Sequence, residues 1–302
     1  MKLKKVYIIL FIMCFILMSV TSSLDNSYAE NTEKKSMLSF GDSIANGFGV
    51  GENNSYAFLF SSQNKYSIVN YAKDGAKSSD LLELLESGEC AEAITKADLI
   101  TICIGANDIL SLLNIFHIFQ YPVIFLNTEF TKNMQIAIDE FEENLKLIMK
   151  HFKKTQARVV FLTIYNPFSG IVIETQGGDI APFNLGLFSE LWLEKINAII
   201  REKCTTFDMF NEIENYKGDE KLKASSFSSS EINLDSHLTL EGQQHIAAQL
   251  QRWITPYEQE LHINNQNPPK TPIWALILIL LGSVITISII LLIFVKCKKT
   301  HN

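Results

Sequence analysis

Between its two ends this chain predicts an α/β fold built on a parallel sheet. Short apolar runs rich in β-branched residues alternate with stretches whose apolar residues recur every three or four positions. Strands that alternate with helices run parallel and are covered on both faces. The ends are of another kind, because each carries a long uncharged apolar run.

The elements follow in order. Met37-Leu38-Ser39-Phe40 reads as the first strand, ended by Gly41. Tyr66–Asn70, Leu99–Ile104, Arg158–Ile164 and Thr206–Phe210 read as the second to fifth strands. Ser79–Glu86 reads as a short helix. Met134, Ile138, Phe141, Leu145, Ile148 and Phe152 alternate spacings of four and three, which puts one apolar stripe on a long helix. Leu187–Cys204 forms another helix, and Thr239–Ile254 the last, with Thr239 as its N-cap. Two stretches break the rhythm: the apolar run Ile109–Leu126, and Asn166–Gly186, rich in Gly, Pro and Phe. Each follows a strand, so each is placed to line the crevice at the strand C-terminal ends.

The 302 residues divide into five parts. Residues 1–29 have a basic start, an apolar run Val6–Val20 and small residues up to Ala29, the pattern of a cleaved secretory signal; an uncleaved anchor is the alternative. Residues 30–263 form the domain, and 264–272, with its Asn and Pro run, reads as a tether. Residues 273–295 carry no charge and as a helix would span about 34 Å, enough for a bilayer core of about 30 Å. Lys296, Lys298 and Lys299 then place residues 296–302 on the cytoplasmic side, with the domain outside.

The whole chain has a net charge of −7. Residues 30–272 carry 20 Lys and Arg against 32 Asp and Glu, a net −12. Such a surface repels phosphates and argues against a nucleic-acid partner. Of the five cysteines, only Cys90, Cys103 and Cys204 fall in the domain. Three widely spaced cysteines make neither a disulfide framework nor a metal cluster. Cys90 and Cys204 could pair, though nothing in the sequence selects that bridge.

The residues that carry chemistry sit where strands end. Gly41-Asp42-Ser43 follows the first strand and exposes a hydroxyl at a strand-to-helix turn. Gly75 follows the second, where a glycine lets backbone approach a bound group. Gly105-Ala106-Asn107-Asp108 follows the third, and the Asn107 amide can donate to a developing oxyanion without titrating. Asp235-Ser236-His237 comes before the last helix and offers a base beside a carboxylate. Taken singly, each reads equally well as turn or cap chemistry. Asp42 and Asp108 read as loop braces. His117, His151, His245 and His262 read as packing or surface groups.

Taken in order, Ser, Gly and Asn at three successive strand ends and His in the last loop form a more specific pattern. It resembles the SGNH hydrolases, also called the GDSL esterase/lipase family, over Met37–Ile254. Asn70 five residues before Gly75, Asp80-Leu81-Leu82 after it, Tyr165-Asn166-Pro167-Phe168 and the trailing Gly242 agree with that family as well. The resemblance implies a flavodoxin-like three-layer sandwich with a five-stranded parallel sheet. It implies Ser43 as nucleophile, His237 as general base, and an oxyanion hole made of the Ser43 N–H, the Gly75 N–H and the Asn107 side chain. It implies no metal or organic cofactor.

One departure concerns the carboxylate. The family's Asp stands three residues before the His, where this chain has Leu234; Asp235 stands two before, and Leu238 replaces the family's Pro. Asp235 therefore either orients His237 or braces the loop. The expectation is acyl-ester hydrolysis at the outer face of a membrane, with the apolar Ile109–Leu126 stretch pointing to an acyl-chain or lipid substrate. The alternatives are an O-acetyl esterase acting on a cell-wall polysaccharide, and a non-catalytic surface binding module.

Overall fold

The computed structural model describes residues 34–112, 128–173, 182–227 and 232–266. The signal segment, the run 273–295 with most of its tether, the tail 296–302 and most of Ile109–Leu126 lie outside these residues. Among the described residues no helix is long and apolar enough to cross a membrane. The chain divides into two compact units, Met1–Ala247 and Ala248–Asn302.

The first unit is built on a five-stranded parallel sheet. Its strands are β1 (Ser36–Gly41), β2 (Ser67–Asn70), β3 (Leu99–Cys103), β4 (Arg158–Leu162) and β7 (Thr206–Phe207), in the order β2-β1-β3-β4-β7. Every pairing is parallel. All five residues of β3 are buried, as are the last five of β1, which is why neither shows the polar alternation of a one-sided sheet. β2 lies at an edge and alternates between exposed and half-buried residues.

From β1 the chain first winds outward to β2, then crosses over to β3 on the other side. The winding therefore reverses between β1 and β3, and a crevice opens at their C-terminal ends. Gly41 and Cys103 are register partners there. Gly41 has φ +147°, and a Cβ on it would lie 2.1 Å from the Cys103 carbonyl oxygen. Only a glycine lets β1 end so close to β3.

The helices are α1 (Ser43–Asn46), α2 (Tyr56–Gln63), α3 (Ser78–Ser87), α4 (Ala91–Lys96), α5 (Ala106–Leu110), α6 (Thr128–Phe152), α7 (Leu185–Lys203), α8 (Met209–Glu214) and α9 (Leu240–Gln266). All six stripe residues of α6 are buried, in one cluster with Leu38 and Phe40 of β1 and Ile100 and Ile102 of β3. The side chains between them in sequence, Ser39 and Thr101, point to the opposite face of the sheet. The Tyr56 ring of α2 lies near both hydroxyls, so that face is covered too.

Most boundaries shift from expectation by one or two residues, and several departures are larger. β7 stops at Phe207 because Asp208 caps α8: its side chain accepts from Asn211 N–H at 3.2 Å and from Thr163 Oγ1 at 2.8 Å. α2 was not anticipated, since its sequence Tyr-Ala-Phe-Leu-Phe-Ser-Ser-Gln is apolar nearly all round at its start and shows no stripe. α9 runs past Ile254 and Pro256 to Gln266, so residues 264–266 of the expected tether are helical. One proline removes one backbone donor, and the Glu and Gln residues that follow favour helix. Two short hairpins, β5/β6 (Val172–Ile173, Phe183–Asn184) and β8/β9 (Ser226–Phe227, Ile232–Asn233), were also not anticipated. Cys90, Cys103 and Cys204 are all free thiols, so Cys90 and Cys204 do not pair.

Candidate active site

The nucleophile loop grows from the end of β1. Asp42 is the N-cap of α1, its side chain accepting from Ile44 N–H at 3.0 Å, and its own N–H donates to the Cys103 carbonyl at 3.0 Å. These bonds hold Ser43 at the mouth of the crevice. Burial pushes the Asp42 carboxyl up to about 7, with Asp108 and Asp74 adding to the rise. Gln243 of α9 braces the loop from behind: its amide donates to the Ile44 carbonyl at 3.1 Å and accepts from Tyr56 N–H at 2.8 Å.

The base arrives on the loop before α9. The His237 Nε2 lies 2.9 Å from Ser43 Oγ, and its Nδ1 lies 2.5 Å from Asp235 Oδ1. A carboxylate oxygen can only accept, so Nδ1 carries the proton and Nε2 presents its lone pair to the serine hydroxyl. The two-residue spacing works because the loop is an Asx turn. Asp235 Oδ1 accepts from the His237 backbone N–H at 3.0 Å as well as from the ring. Leu234, at the family's usual carboxylate position, packs instead against the apolar cluster of Phe168, Ile171, Ile173 and Leu185.

Four further contacts fix this loop. Ala224 N–H donates to the His237 carbonyl at 2.9 Å, and Thr239 N–H to the Leu222 carbonyl at 3.0 Å. Asn233 Oδ1 accepts from Asp235 N–H at 3.0 Å. Tyr165 OH donates to the Ser236 carbonyl at 2.5 Å. Burial holds the Tyr165 phenol well above its ordinary value, so it stays a donor. Thr239 caps α9 as expected, accepting from Gly242 N–H at 3.1 Å. Gly242 is needed because a Cβ there would lie 2.2 Å from the Leu222 carbonyl oxygen.

The other expected residues meet at the same strand ends. Asn107 Nδ2 donates one hydrogen to the Ala76 carbonyl at 3.0 Å, which draws its side chain to the Gly75 loop; an amide nitrogen has a second hydrogen to give. Gly75 has φ +76° and open space beside it. Neither the Ser43 nor the Gly75 backbone N–H finds a backbone acceptor among the described residues. Ser43 and Asn107 line one small cavity of about 20 Å³, together with Leu110, Pro167 and Met209. Asp108 braces α3, accepting from Ser78 N–H at 3.0 Å and from Ser78 Oγ. His245 lies 3.2 Å from the Glu212 carbonyl and takes no part in the cluster.

Sequence reasoning gave no role to three members of this surround, although Tyr165 stood in a stretch that agrees with the family. Gln243 and Tyr165 act through hydrogen bonds to distant backbone, which no local pattern announces. Phe48, whose ring lies against the His237 imidazole with centroids 4.4 Å apart, had only the glycines on either side to mark its loop.

The arrangement is a hydroxyl, an imidazole and a carboxylate in one hydrogen-bonded line, with Asn107 on the same small cavity as the hydroxyl. The family described as GDSL-like Lipase/Acylhydrolase matches the chain over residues 37–250. The uncharacterised protein YpmR of Bacillus subtilis strain 168 is 26% identical over 213 residues, covering 64% of this chain and 76% of its own length. The spore germination lipase LipC of Bacillus licheniformis is 32% identical over 107 residues, 35% of this chain and 48% of its own. Among solved structures, phospholipase A1 from Streptomyces albidoflavus NA297 superposes with a TM-score of 0.51 at 17% identity, covering 70% of this chain and 95% of that one. That last likeness speaks for the fold.

Proposed function

The chain belongs to the GDSL-like lipase/acylhydrolase family and is a serine hydrolase acting on ester bonds, and from that premise we propose that it cleaves acyl esters of lipids at the outer face of a membrane through Ser43, His237 and Asp235. The hydrogen-bonded line from Ser43 Oγ through His237 to Asp235 carries the proposal. Ser43 Oγ attacks the ester carbonyl while His237 Nε2 takes its proton. The negative charge moves to the carbonyl oxygen, where the N–H groups of Ser43 and Gly75 and the Asn107 amide receive it. Collapse breaks the bond to the alcohol oxygen, which leaves with the proton from His237. Water then attacks the acyl-enzyme, giving its proton to the same base, and the acid departs as His237 returns that proton to Ser43 Oγ. Asp235 keeps the imidazole in the productive tautomer and stabilises its charged form.

The LipC relative supports a lipid ester as substrate class. The uncharged run 273–295 with its basic flank supports anchorage in a membrane, with the site held near the bilayer surface. A second reading, removal of acetyl groups from a cell-wall polysaccharide, is favoured by one observation. The cavity at Ser43 measures about 20 Å³ among the described residues, room for little more than a methyl group.

A fluorophosphonate probe is expected to label the protein and to fail on Ser43→Ala; equal labelling of both would remove Ser43 from the reaction. Ester hydrolysis measured against acyl length separates the two readings: activity that peaks at acetate and vanishes at octanoate selects the deacetylase. A chain truncated before Pro272 is expected to leave the membrane and remain active on soluble esters. Its retention in salt-washed membranes would contradict a single C-terminal anchor.

A further inference from the structure

Phe48 is a large apolar side chain, 46% exposed, at the rim of the active site. It belongs to neither apolar cluster of the sheet domain described above, so burial in the core does not explain it. One face of its ring lies against the His237 imidazole, with centroids 4.4 Å apart and planes tilted by 32°. Its exposure means that much of the rest of the ring is open to solvent.

The loop that presents it is closely held. Phe48 N–H donates to the Ser43 carbonyl at 2.9 Å, and Val50 and Gly51 N–H both return to the Gly47 carbonyl. Gly47 sits in the left-handed region at φ +78°, and a Cβ there would lie 2.8 Å from the Gly51 carbonyl oxygen. The backbone therefore commits to a tight turn that only glycine allows, and the turn sets an aromatic ring over the base, on the same short segment as the nucleophile. The cavity beside Ser43 accommodates about a methyl group. A longer apolar part of an ester would run outward over the rim, where Phe48 offers an exposed apolar wall on the nucleophile's own loop.

We propose that Phe48 is a substrate-contacting, specificity-determining residue, whose open ring packs against the apolar part of the ester and raises selection for long over acetyl-sized groups. This rests on the serine-esterase reading above. The apolar part is either the acyl chain or the alcohol, and the two differ in which series of substrates responds.

The test uses the full-length protein in membranes, as wild type, Phe48→Ala and Phe48→Leu. One series is p-nitrophenyl acetate to octanoate, with a constant leaving group. The other is ethyl to octyl acetate, with a constant acyl group. Phe48→Ala is expected to lower kcat/KM for the longest member about tenfold more than for the shortest, the scale of a few lost apolar contacts, and in one series only. Phe48→Leu, which keeps apolar bulk, is expected to retain most of the selectivity. The responding series assigns the contact to acyl chain or alcohol. Equal losses on short and long members of both series, or no loss at all, overturn the proposal; equal losses would mean that the ring only steadies His237. The rate of fluorophosphonate labelling in each variant reports whether Ser43 and His237 remain assembled. If Phe48→Ala fails to fold, Phe48→Leu and Phe48→Ser carry the comparison. Failure of the esterase reading looks different, since wild type would then neither label at Ser43 nor turn over any ester.

Discussion

Replacing Asp235 by Asn removes one charge from the site and almost nothing else. A single oxygen, Asp235 Oδ1, accepts from both the His237 backbone N–H at 3.0 Å and the ring Nδ1–H at 2.5 Å. If the amide of an Asn turned its NH2 group that way, it would face two donors. The oxygen therefore stays in place, and the imidazole keeps the tautomer that can accept the Ser43 proton. What is lost is attraction between the carboxylate and the imidazolium that forms during attack. Two unit charges 4 Å apart at an effective dielectric of roughly 20 attract by about 4 kcal/mol. The His237 and Asp235 side chains are 20% and 38% exposed, so solvent screening leaves about 2–3 kcal/mol of that. At 1.36 kcal/mol per decade, kcat for Asp235→Asn should fall about 30- to 160-fold. The melting temperature should barely move, because the backbone bond survives. The assay is kcat on a soluble p-nitrophenyl ester, together with a thermal melt. A loss near ~10⁴ with an unchanged melt, the size seen when the wrong tautomer is imposed, would refute the argument from the shared oxygen. Full turnover with an unchanged melt would show that Asp235 only bends the loop, a task the Asn oxygen also performs.

Three further predictions follow from neighbouring contacts. Asn107→Ala should lower kcat by about 10²–10³ with little change in KM, since its bond strengthens as the oxyanion forms; near-normal kcat on a good ester would exclude Asn107. Tyr165→Phe leaves the half-buried Ser236 carbonyl without its donor, which should cost about 1 kcal/mol of stability and lower kcat several-fold as the His237 loop loosens; a variant unchanged in both would show that the bond does not hold the loop. Asp42→Asn should alter how stability depends on pH. Below about pH 3 both folded and unfolded Asp42 are protonated and nothing differs. As pH rises the unfolded chain ionises first, near 3.8, while burial holds the folded carboxyl neutral to about 7. Asp42 therefore subtracts stability progressively between those values, about 4 kcal/mol in all. A neutral Asn lacks that loss, so urea-unfolding free energies of variant and wild type should diverge across that range; parallel curves would refute it.

The linear sequence determined the alternation of strands and helices, because burial on both sheet faces and on one helix face writes itself into apolar spacing. The α6 stripe is the clearest case, with all six expected residues buried. It also determined which residues end the first three strands, since the crevice of a parallel sheet lies at those ends and Ser43, Gly75 and Asn107 follow them directly. Only the tertiary structure decided what acts over distance. Strand order put β1 beside β3 and so brought Ser43 and Asn107 to one crevice. Ser43 and His237 are 194 residues apart in sequence, and their meeting depends on Ala224 and Leu222 pinning a loop through backbone bonds that any side chain could accompany, and on the Tyr165 hydroxyl reaching the Ser236 carbonyl. The role open to Asp235 was ambiguous in the linear sequence for the same reason. Spacing states how far apart two residues lie along the chain, but an Asx turn sets how sharply the chain bends between them. Here that bend carries the carboxylate to His237 and turns Leu234 into the apolar cluster.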